Sequence, residues 1–154
     1  MSSVDYIIDL DKLVAAWIGK TSKMVDYYLH ESFVSNDLDL SKEQMIVLKK
    51  LHEQDGLMQN ELAILTLRDK STLARLLAKM EKKNYIFREQ NDLDKRINQV
   101  YLTETGRTIF KKTRPIVKDL KETMEKGISK TEKENLITTL KKIQINFNQT
   151  LDTY

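Results

Sequence analysis

The chain contains no cysteine among its 154 residues. A disulfide framework, a thiolate zinc site and a thiol redox switch are thereby excluded. One proline and four glycines leave little material for turns, which favours a mostly helical fold with few loops. No apolar run approaches the ~20 residues that span a bilayer, and the N-terminus has no secretory-signal pattern. A cytoplasmic protein with no membrane partner is expected. Charge of one sign is also scarce. The formal net charge is +3, from 26 basic and 23 acidic residues, too little to indicate nucleic acid by itself. What is present is a high charged fraction, 32%, which suits long surface helices. A chain of this length forms one domain, residues 1–154, large enough to bury a core.

The local distribution of charge says more than its sum. Seven acids, Asp5, Asp9, Asp11, Asp26, Glu31, Asp37 and Asp39, stand against Lys12, Lys20 and Lys23 in the first forty residues. Between Arg68 and Arg96 the balance reverses, with Arg68, Lys70, Arg75, Lys79, Lys82, Lys83, Arg88, Lys95 and Arg96. A phosphate-facing surface needs positive charge that is local in this way.

Apolar spacing predicts a long helix from Val4 to Phe33, with Ile7, Leu10, Val14, Trp17, Ile18, Val25, Tyr28 and Leu29 mostly three or four apart. Ser41 and Gln44 have capping-box spacing and start a second helix, which ends at Asp55-Gly56, where glycine takes a left-handed conformation. A short helix follows from Gln59 to Thr66. Asp69 caps the next, whose inward face is Leu73, Leu76, Leu77 and Met80. Asn84 ends it. Residues 85–89 and 98–102 read as two short strands joined by a polar turn. Thr103 caps a long helix that Pro115 should kink or split. Ser129 and Glu132 open a last helix carrying Leu136, Leu140, Ile143, Phe147 and Leu151. The fold class is mostly α with a small antiparallel β-hairpin: a winged helix-turn-helix over 41–103, flanked by long terminal helices over 4–34 and 104–154. A lone terminal helix cannot bury a wide apolar stripe, so the flanking helices are expected to pair with a second copy in a homodimer.

With Leu73, Leu76, Leu77 and Met80 inward, at about 100° per residue, the opposite face of that helix carries Ser71, Arg75 and Lys82, flanked by Thr72 and Lys79. Small polar residues at a helix start allow close approach to a duplex, and an arginine one turn later reaches guanine O6 and N7. Lys79 and Lys82 suit phosphates. A solvated cationic face is the plain alternative. The hairpin argues against it. Asp94 and Arg96 lie two apart in an extended turn, so the carboxylate can hold the guanidinium in one orientation. An ordered arginine at a hairpin tip suits a narrow minor groove; an exposed ion pair worth ~0–1 kcal/mol is the bland counterpart.

Leu40-Ser41 with Gln44, Leu62-Ala63, Asp69 with Ser71-Thr72-Leu73, then Asp94-Lys95-Arg96 and Val100-Tyr101-Leu102-Thr103 with Gly106, together resemble the multiple-antibiotic-resistance regulator (MarR) family. The specific part is D-x-R-x-x-x-V-x-L-T-x-x-G; the flanking helices extend the likeness over nearly the whole chain. The resemblance implies a homodimeric transcriptional regulator, usually a repressor, on a double-stranded pseudo-palindromic operator. It implies that the helix from Lys70 enters the major groove, that Arg96 enters the minor groove, and that the terminal helices dimerise. DNA-binding candidates are therefore Lys70, Ser71, Thr72, Arg75, Lys79, Lys82, Asp94, Lys95 and Arg96. Asn84 stands where relatives commonly have glycine, and asparagine also tolerates the left-handed conformation.

Many relatives resemble sensors of phenolic or other aromatic anions, which implies a small-molecule effector. Candidate lining residues here are Trp17, Lys23, Tyr27, Tyr28, His30 and Met45, although aromatic and methionine residues at helical spacing are more often core. A ligand-independent repressor and a winged-helix module that docks a protein are the alternatives. No enzyme is expected: Gly19-Lys20-Thr21 lacks the earlier glycine and strand of a phosphate-binding loop, His30-Glu31 lacks a second histidine, and the acids near Asp37 and Asp92 lack the glycine of a calcium loop. No cofactor and no metal site are expected; His30 and His52 lie on separate elements.

Overall fold

The computed structural model describes residues 9–147. Helices α1 (Val14–Ser35) and α2 (Lys42–Glu53) come first, then a two-residue strand β1 (Leu57–Met58), α3 (Gln59–Leu65) and α4 (Lys70–Lys82). Strands β2 (Ile86–Gln90) and β3 (Asn98–Leu102) follow, then α5 (Glu104–Met124) and α6 (Lys130–Asn146). The core gathers Leu29 and Phe33 of α1, Val47, Leu48 and Leu51 of α2, Leu62 of α3, Leu73, Leu77 and Met80 of α4, the inner faces of β2 and β3, and Ile116 of α5. One winged unit is thus welded to α1 and α5 by shared packing.

Local chemistry sets most boundaries. Ser41 accepts the Gln44 N–H at 3.1 Å, and the Gln44 side chain accepts the Ser41 N–H at 3.2 Å. This completes the expected capping box. Glu61 holds the N–H of Met58 at 2.9 Å at the entry to α3. Asn84 ends α4 at φ 59°, as its tolerance of the left-handed region predicts. Gly56 takes φ 76°, and a Cβ there would meet the Tyr101 ring at 2.9 Å. Gly106 has another reason to be glycine: a Cβ would lie 2.0 Å from the carbonyl oxygen of Tyr85. Helix α5 therefore crosses directly over the backbone entering β2.

Four expectations need correction. The hairpin is a three-stranded antiparallel sheet in the order β1-β3-β2, with Leu57 opposite Val100. Asp55 causes this: its carboxylate accepts the N–H groups of Gly56 (3.2 Å) and Leu102 (2.9 Å) and so draws the end of α2 onto β3. A two-residue strand is too short to show a period in sequence. The first helix does not run unbroken from Val4. A 3-10 turn at Leu10–Lys12 and an extended Leu13 precede α1. Asp9 caps that turn through the Asp11 N–H (3.1 Å), and the Trp17 indole donates to the Asp11 carbonyl (2.7 Å); the part of the expected helix before Asp9 lies outside the described residues. Pro115 does not split α5, which is continuous from Glu104 to Met124. Leu76, placed with the inward face, is half-buried rather than core. The last helix is described to Asn146; Leu151 lies outside the described residues. No helix among the described residues is long and apolar enough to cross a membrane.

Candidate nucleic-acid interface

Asp69 builds the start of α4. Its carboxylate accepts the N–H of Thr72 at 2.8 Å and the Thr72 hydroxyl at 2.7 Å. The Thr72 hydroxyl, then its backbone N–H, and in smaller measure the Arg75 charge, hold the Asp69 carboxyl below the usual range. Arg75 reaches back to the Thr72 hydroxyl at 3.5 Å. Thr72 is therefore committed to the cap, and it orients Arg75 from one side. Leu73, Leu77 and Met80 are buried, which turns Ser71, Arg75, Lys79 and Lys82 to solvent, with Lys70 exposed at the helix start.

The basic cluster of the sequence divides into two groups. Arg68 pairs with Glu43 (3.8 Å), Lys83 with Asp39 (2.9 Å) and Arg88 with Glu81. These cations brace α4 and β2 against the body of the domain. Lys70, Arg75, Lys79, Lys82 and Lys95 make no ion pair among the described residues. The unpaired set is the outward face of α4 plus the wing tip. Charge counting alone could not separate the two groups.

The wing tip is ordered by its own side chains. Asn91 accepts the N–H groups of Leu93 (2.8 Å) and Asp94 (3.2 Å), and its N–H donates to the Ile97 carbonyl (2.8 Å). Asp94 then grips Arg96 three times: through its N–H at 3.0 Å, its Nε at 3.1 Å and a terminal guanidinium nitrogen at 3.2 Å. The guanidinium and then the backbone N–H of Arg96 push the Asp94 carboxyl below the usual carboxylate range. Despite this grip the Arg96 side chain is 91% exposed. The carboxylate fixes one edge of the fork and leaves the rest facing out. Lys95 projects beside it.

A cleft of about 160 Å³ joins the start of α4 to the root of the wing and brings Lys70 and Arg96 together with Gln59 and Asn60 of α3. These two amides were not among the sequence candidates. Their signal was slight: adjacent amides opening a short helix, of which Asn60 is exposed.

The candidate effector residues do not converge within a single copy of the chain. Trp17 and Tyr27 are 58% and 68% exposed, and Lys23 is exposed on the same helix. Tyr28 lies 3.4 Å from the Thr123 hydroxyl of α5. His30 opens onto a groove of about 730 Å³ beside Arg68, Arg75 and Lys79. Met45 lines a different groove, between α2 and α5. No group of three or more metal-ligating side chains occurs among the described residues.

Comparison with known proteins decides the class. A MarR family model matches residues 40–97, the winged unit up to the wing tip. The transcriptional regulator SarZ of Staphylococcus epidermidis is 32% identical over 110 residues, 70% of this chain and 72% of that protein. The chain belongs to the MarR family. It is a transcriptional regulator with a DNA-binding winged helix, and not an enzyme. A MarR-family regulator structure from Silicibacter pomeroyi is 27% identical, with a TM-score of 0.71 over 90% of this chain and 92% of the other. The fold is also that of the S. aureus MepR–DNA complex, at 24% identity and a TM-score of 0.80 over 87% of this chain and 98% of the other. The MarR-family assignment leaves the protein-docking alternative without support.

Proposed function

We propose that this MarR-family regulator is a homodimeric repressor of a pseudo-palindromic operator, acts in the cytoplasm, and is released by a small aromatic or anionic ligand. Helix α4 lies in the major groove, with Ser71 and Thr72 at the closest approach and Arg75 reading a base edge. Lys70, Lys79, Lys82 and Lys95 neutralise phosphates. Arg96 enters the flanking minor groove, oriented by Asp94. The observation that carries this reading is the Arg96–Asp94 lock: a guanidinium held by three contacts yet left almost fully exposed. Holding a long side chain in one conformation lowers the entropy lost on binding.

Two further features support the dimer and the ligand. Helix α6 buries no residue, and Leu136, Ile137 and Ile145 stand exposed along it; Trp17 and Tyr27 are similarly bare on α1. Apolar area of this extent is covered in a stable protein by another surface. The two grooves that hold His30 and Met45 both carry several cations, the chemistry that an aromatic carboxylate requires. A ligand that binds the DNA-incompetent arrangement more tightly shifts the population away from the operator.

The test is a titration against the gene's own upstream DNA and a scrambled duplex at two salt concentrations. Tight, salt-sensitive and sequence-selective binding is expected, because phosphate contacts set the salt slope and base contacts set selectivity. Equal weak binding to both duplexes overturns the repressor assignment for that site. Salicylate-like aromatics added to the complex then test release.

A further inference from the structure

Leu93 stands at the tip of the wing with 98% of its surface exposed, more than any other large apolar side chain among the described residues. It takes no part in the hydrophobic core, and its neighbours Asp92, Lys95 and Arg96 are exposed and charged. The bare apolar residues of α1 and α6 lie on helices that the homodimer reading covers. Leu93 belongs to neither helix and is three residues from the guanidinium that our functional reading sends into a minor groove. A lone exposed leucine is ordinary on a protein surface; this one is carried on a rigid frame.

The Asn91 side-chain oxygen accepts the Leu93 N–H at 2.8 Å and the Asp94 N–H at 3.2 Å, and the Asn91 amide nitrogen donates to Gln99 of β3 at 3.3 Å. The Ile97 N–H closes the far side of the turn on the Asp94 carbonyl at 3.0 Å. The backbone at Leu93 is therefore tied on both sides, and its side chain is presented to solvent instead of folding back on the wing. Leu93 and Arg96 are three residues apart, so their Cα atoms are separated by no more than about 11 Å. A groove entered by Arg96 thus presents Leu93 with base steps within about three base pairs, at about 3.4 Å per step.

We propose that Leu93 is an apolar wedge that enters the same minor groove as Arg96 and presses between two base pairs. The inference rests on the wing entering that groove and adds to it a residue that selects sequence. An arginine there reads groove width, and the hydrogen-bonding pattern of the minor groove separates A·T from G·C only. A wedge reads a different quantity, the cost of unstacking, which is lowest at pyrimidine–purine steps such as TA and CA. The residue type suits the task. Leucine brings no charge and no hydrogen bond, so its gain comes from leaving water for the apolar faces of the bases. The DNA under the wing then holds a flexible step, and the wedge kinks the duplex there toward the major groove.

The test uses the full chain and a duplex selected by it from a randomised pool, with TA or AA then placed at each step of the flanking minor groove. Leu93→Ala should weaken binding roughly tenfold, the scale of one buried aliphatic side chain. The salt slope should not change, because no phosphate contact is lost. Leu93→Met, which keeps an apolar wedge, should bind like the parent. Exchanging TA for AA keeps every pair A·T and narrows the groove, which favours Arg96. At the wedge position the parent should still lose affinity roughly tenfold on that exchange, and Leu93→Ala should not. The fluorescence of 2-aminopurine at the same step should rise when the parent binds and stay low with Leu93→Ala. Binding that depends on Arg96 but is identical for Leu93→Ala and the parent overturns this inference alone. Weaker binding by Leu93→Ala with no step preference and no fluorescence rise in the parent also overturns it, since the leucine then rests against the groove wall. A parent that selects no duplex, or one whose affinity is untouched by both Arg96→Ala and Leu93→Ala, overturns the wing reading together with this inference.

Discussion

At Arg96 a single carboxylate does the work of orientation. Removing the guanidinium should weaken operator binding by about 1–2 kcal/mol, roughly tenfold or more, at unchanged helicity. Fluorescence anisotropy checks it, and equal affinity for Arg96→Ala and the parent refutes the wing's role. Asp94 has a pH consequence. Its folded-state carboxyl is depressed by the Arg96 guanidinium and N–H, so the contribution of the lock is fully present above the ordinary carboxylate range. It is lost only as pH falls through the lowered folded value. Operator affinity should therefore show no loss of the wing contact between pH 7 and pH 5; a wing-dependent fall in that window, absent in Arg96→Ala, would contradict the assignment. Arg75 and Arg96 were legible as residues, because their neighbours Thr72 and Asp94 are close in sequence. Arg68, Lys83 and Arg88 were not separable from them, because their partners Glu43, Asp39 and Glu81 lie across tertiary contacts.

Helix α4 was readable almost to its ends, since its cap, its apolar period and its asparagine stop are all local signals. The lysines of its outward face, which we propose meet phosphates, make a separable prediction. Lys79→Ala and Lys82→Ala should each reduce the slope of log affinity against log salt by about one, with little change in sequence preference. A loss of selectivity without a change of slope would reassign them to base reading. Gly106 belongs to the same scale. Its place in the wing-to-α5 motif follows from the Tyr85 carbonyl that lies where a Cβ would be. Gly106→Ala should destabilise the fold by about 1–3 kcal/mol, the range for forced overpacking, and lower Tm by several degrees. An unchanged melting curve would mean that α5 does not cross the β2 backbone this closely. Strand β1 escaped the sequence reading because two residues carry no period and are made a strand only by Asp55 and Val100.

For the whole molecule, the telling feature is apolar surface with nothing on it. Truncation before Thr131 removes α6, and with it Leu136, Ile137 and Ile145. The shortened chain should be monomeric and should lose operator binding, while the winged unit stays folded because α6 contributes no buried residue to its core. Light scattering of the truncated protein decides; a stable dimer would exclude α6 from the interface.

The sequence by itself determined the helical class, the caps, the register of the recognition helix and the tip that presents Arg96. Each of these depends on residues within about four positions of one another, where spacing and hydrogen-bond chemistry act without the rest of the chain. Tertiary structure alone decided which cations stay free and that β1 joins the sheet. It also decided that Pro115 leaves α5 continuous and that the six candidate effector residues do not meet in one groove of a single copy. Those outcomes come from groups brought together by packing, and a linear pattern carries no record of which distant carboxylate or carbonyl will lie beside a given side chain.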